Sequence, residues 1–320
     1  MKLGRPLKYL GLVATIAGLL WFVVRAPQSP MVVAVHPWVG YETLYLARDF
    51  KWLPDTIRLR DDKTLGESLA ALHSGEADAA CMTLDEMLRA RASGLPLSAA
   101  LVLDVSAGAD KVLARPEIMS PKDLAHKRIG FDRNSLGVLV FEKLLEAAEL
   151  PTSAVIQVDL PPDSQLKAWR GREVDAVITY EPMATVFERE GARNLFDSRR
   201  MPDAIVDVLA VRRDRPKIFP LVRHLAAIHF RAQEYMRIYE QDALFRVSAR
   251  EDLSPDEARR MLATVIFPSL DANRNYLGGD ARLAQAAKTL SMLMVKHGLL
   301  AREDDLAELV MPETLPTEER

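Results

Sequence analysis

The chain has 320 residues, 49% of them hydrophobic and 27% charged, with 42 lysines and arginines against 45 aspartates and glutamates. That length suits two lobes of ordinary size, and the balance excludes a disordered, fibrous or multi-span membrane chain. The first 30 residues hold Lys2, Arg5, Lys8 and Arg25 and no acid, so the remainder carries 38 bases against 45 acids, a formal charge of −7. An acidic body of this kind argues against nucleic acid as a partner. Cys81 is the only cysteine, which rules out an internal disulfide.

In chain order, three cations precede 16 uncharged, mostly apolar residues, Tyr9 to Val24. This segment, within residues 1–30, reads as an export signal or an N-terminal membrane anchor. Val24-Arg25-Ala26 weakly resembles a cleavage site, Pro27 after it is unfavourable, and an uncleaved anchor is preferred. The cation bias puts the N-terminus in the cytoplasm and the body outside, periplasmic or extracytoplasmic and tied to the inner membrane. From Met31 short apolar strands alternate with helical patterns: VVAV, a helix after Tyr41, TIRL, a helix from Leu65, ADAACM, a helix after Asp85, and AALVLD. After KVLAR the rhythm restarts with KRIGF, a helix from Ser135, AVIQVD, a helix from Asp163, VDAVIT and a helix after Glu181. The class is α/β with mostly parallel sheets in two lobes. Beyond AIVDVLAVRRD the strands stop and helices follow, one of them capped by Ser254; the last ten residues read as a flexible tail.

The halves echo each other. HSGEADAACMTLDE and WRGREVDAVITYEP each place a glycine suited to a helix C-terminus (Gly75, Gly171) before an acid (Asp78, Asp175). A strand follows, and then a threonine (Thr83, Thr179).

Ligands of open α/β sheets collect beyond the carboxyl ends of strands. The corresponding stretches are HPWVGYET, CMTLDE, DVSAGAD, FDRNSLG and TYEPMA. Trp38, Tyr41 and Tyr180 suit either core packing or stacking on a ligand, and Asp104 suits either a local cap or a solute contact. The six histidines show no metal spacing, no phosphate or dinucleotide loop is present, and Cys81 reads as a buried inert thiol. No metal, cofactor or catalytic group is expected.

Together, GYETLYLARDF, LHSGEADAACMT, LVLDVSAGADKVLARPEIMSPKDLAHKRIGFDRNSLG, VDAVITYEPMA and LFDSRRMPDAIVDVLAVRRD resemble, in that order, the solute-binding proteins of nitrate, sulfonate, taurine and thiamine-precursor importers. The resemblance implies a type II periplasmic-binding-protein fold. Lobe 1 would be 31–113 plus 210–310 and lobe 2 would be 114–209, joined by two hinge crossings near Lys111–Arg115 and Val206–Val211, with 311–320 flexible. It implies a monomeric receptor that passes a small organic or nitrogen- or sulfur-containing solute to an ABC permease and ATPase. The cleft would be lined by Trp38, Tyr41, Glu42, Thr83, Asp104, Ser106, Gly108, Ala109, Asn134, Ser135, Tyr180 and Glu181. An enzyme on the same fold and a membrane-anchored solute sensor are the alternatives; the family's pyrimidine-forming enzyme branch relies on a cysteine-rich motif that this chain lacks. The solute's charge is not legible, because Glu42, Asp104 and Glu181 favour a cation while helix N-termini favour an anion.

Overall fold

The computed structural model describes residues 29–133, 135–278 and 282–317. The expected signal or anchor at residues 1–28 lies outside them, and no helix among the described residues is long and apolar enough to cross a membrane.

The first sheet contains β1 (Met31–Val35), β2 (Ile57–Asp61), β3 (Ala79–Thr83), β4 (Leu97–Ser106), β10 (Val206–Arg212) and β11 (Val265–Ile266), in the order β11-β4-β10-β3-β1-β2. The second contains β5 (Asp110–Ala114), β6 (Arg128–Phe131), β7 (Ile156–Asp159), β8 (Ala176–Tyr180) and β9 (Arg193–Asp197), in the order β7-β6-β8-β5-β9. In the first sheet β1 runs parallel to β2 and β3, while β10 is antiparallel to β3 and β4. The second sheet repeats this plan: β6 is parallel to β7 and β8, and β5 is antiparallel to β8 and β9. The two-lobed α/β architecture expected from the sequence is therefore present, each lobe lending one antiparallel strand from the chain that has just crossed.

Helices α1 (Glu42–Asp49), α2 (Leu65–Ser74) and α3 (Leu84–Ala92) accompany the first sheet, and α4 (Ser135–Ala148), α5 (Pro162–Arg170) and α6 (Met183–Arg189) the second. Helices α7 (Phe219–Ile238), α8 (Glu240–Glu251), α9 (Pro255–Leu262), α10 (Leu270–Leu277) and α11 (Arg282–Lys296) complete lobe 1. The second sheet is buried on both faces, so successive residues enter different cores: Val112 and Ile178 pack with Phe131 and Leu144, whereas Leu113 and Val177 pack with Trp169 and Phe187. Such strands read as continuous apolar runs, which is why they were visible in the sequence.

The repeated acids have the same local role in both lobes. Asp78 accepts the Val32 backbone N–H at 2.8 Å, and Asp175 accepts that of Arg128 at 2.9 Å, each pinning the start of the neighbouring parallel strand. Each is also paired with an arginine, Arg215 for Asp78 and Arg128 for Asp175. The glycines differ. Gly75 takes the left-handed cap at φ 79°, but Gly171 stays at φ −73° and Arg172 adopts the positive φ instead.

Four expectations need correction. The chain changes sheet at 107–109 and 198–205, so the boundaries expected at 113/114 and 209/210 fall inside β5 and β10, whose backbones are bonded on both sides and cannot flex as hinges. A strand, β9, precedes the second crossing; only Leu195 and Phe196 of its five residues are buried and apolar, too few to stand out. Strands do not end at β10, because the two-residue β11 pairs with β4. Finally, the start of the tail is packed: Met311 N–H bonds to Ala99 O at 2.9 Å, and Thr314, 1% exposed, donates its hydroxyl to Ala100 O at 3.2 Å.

Candidate functional site

The carboxyl ends of β1, β3, β4 and β8 and the amino ends of β5 and β10 face the junction between the sheets. At this edge the first sheet carries a row set by register, in which Asp207 of β10 lies opposite Thr83 of β3 on one side and Asp104 of β4 on the other. Directly opposed residues share a face, so the three side chains stand together. Residues 38–41 cover them. The Trp38 Nε1–H donates to both Asp104 oxygens at 3.2 and 3.1 Å, and Tyr41 donates its hydroxyl to Asp207 Oδ1 at 2.6 Å. The cover is so close that a Cβ on Gly40 would lie 1.7 Å from Asp104 Oδ2, which requires glycine there.

Asp104, Asp110 and Asp207 are 0%, 3% and 1% exposed, and no lysine or arginine among the described residues pairs with any of them. Asp207 Oδ2 and Asp110 Oδ2 have no hydrogen-bond partner, while Thr83 and Glu86 cap the start of α3 reciprocally. Burial pushes Asp104 up to about 8 against the Trp38 hydrogen bond, with Asp110 adding repulsion. Burial likewise pushes Asp110 up to about 7 and carries Asp207 well above the usual carboxylate range, in the latter case reinforced by Asp104. Glu86, which accepts the Thr83 N–H at 2.9 Å, is pushed up to about 8 by burial and by Asp85. Cys81 is fully buried in β3 with its thiol raised by burial, then by Asp207 and Asp104, the inert thiol expected from the sequence. His36 is held neutral by burial, its pKa lowered to about 4.

The DVSAGAD corner ties the two crossings together. Ser106 Oγ and Ser198 Oγ are 2.7 Å apart, and the Gly108 N–H donates to Ser198 Oγ at 2.7 Å. Ser106 N–H bonds to Ile205 O, and Asp110 N–H to Ser106 Oγ at 3.3 Å. Gly108 has φ 122°, and a Cβ there would meet the Arg199 side chain at 3.4 Å. Its local surroundings are thus the second crossing. Ala109 accepts the Glu181 N–H at 3.1 Å, binding the corner to the end of β8.

From lobe 2, Tyr180 meets Trp38 edge to face, ring centres 5.9 Å apart, and this contact joins the lobes. Glu181 is satisfied on both oxygens: Oε1 accepts Lys111 Nζ at 2.7 Å, while Oε2 accepts the Thr185 N–H at 3.0 Å and its hydroxyl at 2.8 Å. Glu42 is buried on α1 and paired with Arg250 of α8, apart from the row. Ser135 opens α4, and Asn134 lies outside the described residues. The structure therefore brings Trp38, Tyr41, Thr83, Asp104 and Tyr180 together. It places Ser106, Gly108 and Ala109 at the crossing, and gives Glu42 and Glu181 partners of their own. Asp207 and Asp110 escaped the site reading. The available signal was an acid inside or beside an apolar strand, as at Asp104.

Residues 58–212 match the family model described as NMT1/THI5 like. No curated protein sequence matches the chain. Among solved structures, the ligand-binding component of an ABC-type import system from Staphylococcus aureus, with zinc bound, superimposes with a TM-score of 0.75 at 14% identity, covering 92% of this chain and 100% of that one. The periplasmic aliphatic sulphonate binding protein SsuA from Escherichia coli gives 0.72 at 17% identity, covering 89% and 98%. The desulfurization enzyme DSZB gives 0.62 at 16% identity, covering 90% and 97%. With two matching sheets, two crossings and this likeness, the chain has the periplasmic-binding-protein fold, and its residues 58–212 resemble the NMT1/THI5-like family.

Proposed function

We propose that the protein is an extracytoplasmic receptor that binds a small organic solute between its lobes and presents it to an ABC permease by closing. The single observation behind this reading is the arrangement at the lobe junction, where the unpartnered buried oxygens Asp207 Oδ2 and Asp110 Oδ2, one from each sheet, lie beside a Trp38–Tyr180 contact across two chain crossings. Two short crossings let rigid sheets rotate, and closure makes a shape that a permease can recognise. The likeness to an import-system binding component and a sulphonate-binding protein, over 92% and 89% of the chain, supports the same reading. The 16-residue apolar segment would hold the body at the outer face of the inner membrane, as signal or anchor. Small-angle scattering with a saturating solute tests it, since a receptor compacts and gains about 2.7 kcal/mol at a hundredfold excess over Kd.

One observation favours an enzyme as the second reading: Asp104, Asp110 and Glu86 are raised to about 8, 7 and 8, suited to proton transfer near neutrality. Recovery of the bound solute separates the two, because a receptor returns it unchanged.

A further inference from the structure

We propose that the row Thr83–Asp207–Asp104, extended by Asp110, receives the ammonium or amidinium group of a cationic organic solute. This rests on the receptor reading and supplies its solute class.

The argument begins with donors and acceptors. A sulfonate or nitrate presents only acceptors. The carboxyl oxygens left without partners here are Asp207 Oδ2 and Asp110 Oδ2, which accept hydrogen bonds once a bound cation ionises their acids. An anion would need a cation on the protein, and two of those at the junction are engaged elsewhere. Lys111 Nζ is bound to Glu181 at 2.7 Å and Glu188 at 2.9 Å, and the Arg199 guanidinium is bound to Asp197 at 2.6 Å. An ammonium brings three donors and an amidinium four, each able to meet these oxygens with charge-assisted bonds.

Asp110 is independent of the row, because it enters from β5 of the second sheet; it is 3% exposed and its Oδ2 has no partner. The rings of Trp38 and Tyr180 at the same place provide faces that attract an organic cation. A metal ion fits less well, because among the described residues no three His, Cys, Asp or Glu side chains converge as a metal requires.

The test uses full-length protein in detergent, titrated by calorimetry and thermal shift with putrescine, benzylamine and benzamidine on one side and nitrate and propanesulfonate on the other. The expected result is dose-dependent stabilisation by at least one cation and by neither anion. Asp207→Asn, an isosteric change, is expected to weaken that binding at least tenfold. If Asp207→Asn does not fold, Asp104→Asn and Asp110→Asn carry the measurement. Stabilisation by anions alone, or cation affinity unchanged in these variants, overturns the solute class and leaves the receptor standing. Absence of binding by either group overturns the receptor reading, and this inference with it.

Discussion

At the inner edge of the first sheet the row across three strands reads Thr83, Asp207, Asp104; at the equivalent place in the second it reads Thr179, Lys111, Asp197. Apart from the two-residue β11 the topologies match strand for strand, so the exchange of an aspartate for a lysine in the middle strand isolates one variable. In lobe 2 the charges are settled locally. Burial acts against it, but Glu181 and Glu188 hold the Lys111 ammonium above its ordinary range, and Arg199 and Asn194 hold Asp197 below the usual carboxylate range despite burial. In the lobe 1 row nothing cationic among the described residues answers the acids, and Asp207 Oδ2 is left bare. The same framework is closed on one side and chemically incomplete on the other, and incompleteness is where a ligand has something to contribute.

The largest expected effect breaks the settled side. Lys111→Met leaves Glu181 buried without its cation and is expected to cost about 3–5 kcal/mol in denaturant melts. Adding Glu181→Gln should recover most of that loss. Failure to recover would mean that Lys111 contributes through packing rather than charge.

Gly108→Val forces a positive-φ residue at the corner and crowds Arg199. A loss of about 1–3 kcal/mol is expected, with solute affinity of the folded protein changing less than stability. Loss of affinity at unchanged Tm would move the corner into the binding site.

The incomplete side is sharpened by pH. The unfolded chain releases the protons of Asp104 and Asp110 near about pH 4, whereas the folded chain keeps them until about 8 and 7. Folded-state pKa values are raised, so this contribution is fully present below the unfolded pKa and is lost as pH climbs through the folded one. Ligand-free Tm should therefore fall between these limits. Asp104→Asn keeps an acceptor for Trp38 and should flatten the fall, adding about 1–2 kcal/mol at the alkaline end. An unaltered slope in the variant would show that Asp104 is ionised and compensated.

The smallest effect concerns the cover. Trp38→Phe keeps a ring against Tyr180 and removes the donor to Asp104, with an expected loss of about 0.5–1.5 kcal/mol. A loss as large as that of Lys111→Met would erase the distinction between the two rows.

The alternation of strands and helices was legible because both sheets are covered by helices and their strands are apolar throughout. The paired devices at Asp78 and Asp175 were legible too, since a local sequence pattern makes a local structure. What depends on register was not. Nothing adjacent to Asp207 in the chain shows that it sits between Thr83 and Asp104, residues more than a hundred positions upstream. Likewise Glu181 looked available for a ligand until Lys111, seventy residues earlier, arrived beside it. The crossings were displaced into β5 and β10 because VLA and VDVLAV continue as strands past the change of sheet. The sheet to which an apolar run belongs is a tertiary fact.

The Trp38–Tyr180 contact has a practical consequence for optical work. Of the four tryptophans, Trp21 lies in the N-terminal segment, Trp52 sits under Arg231, and Trp169 is buried beneath Arg115 in lobe 2. Trp38 alone among the described ones touches a ring from the other lobe. With Trp52 and Trp169 replaced by phenylalanine, in protein lacking the first 28 residues if that body folds, its emission becomes an unlabelled intrinsic reporter of lobe separation. Opening would part the indole from Tyr180, wet it and shift the spectrum to the red, so that solute capture can be followed in a stopped-flow cuvette without attaching a dye.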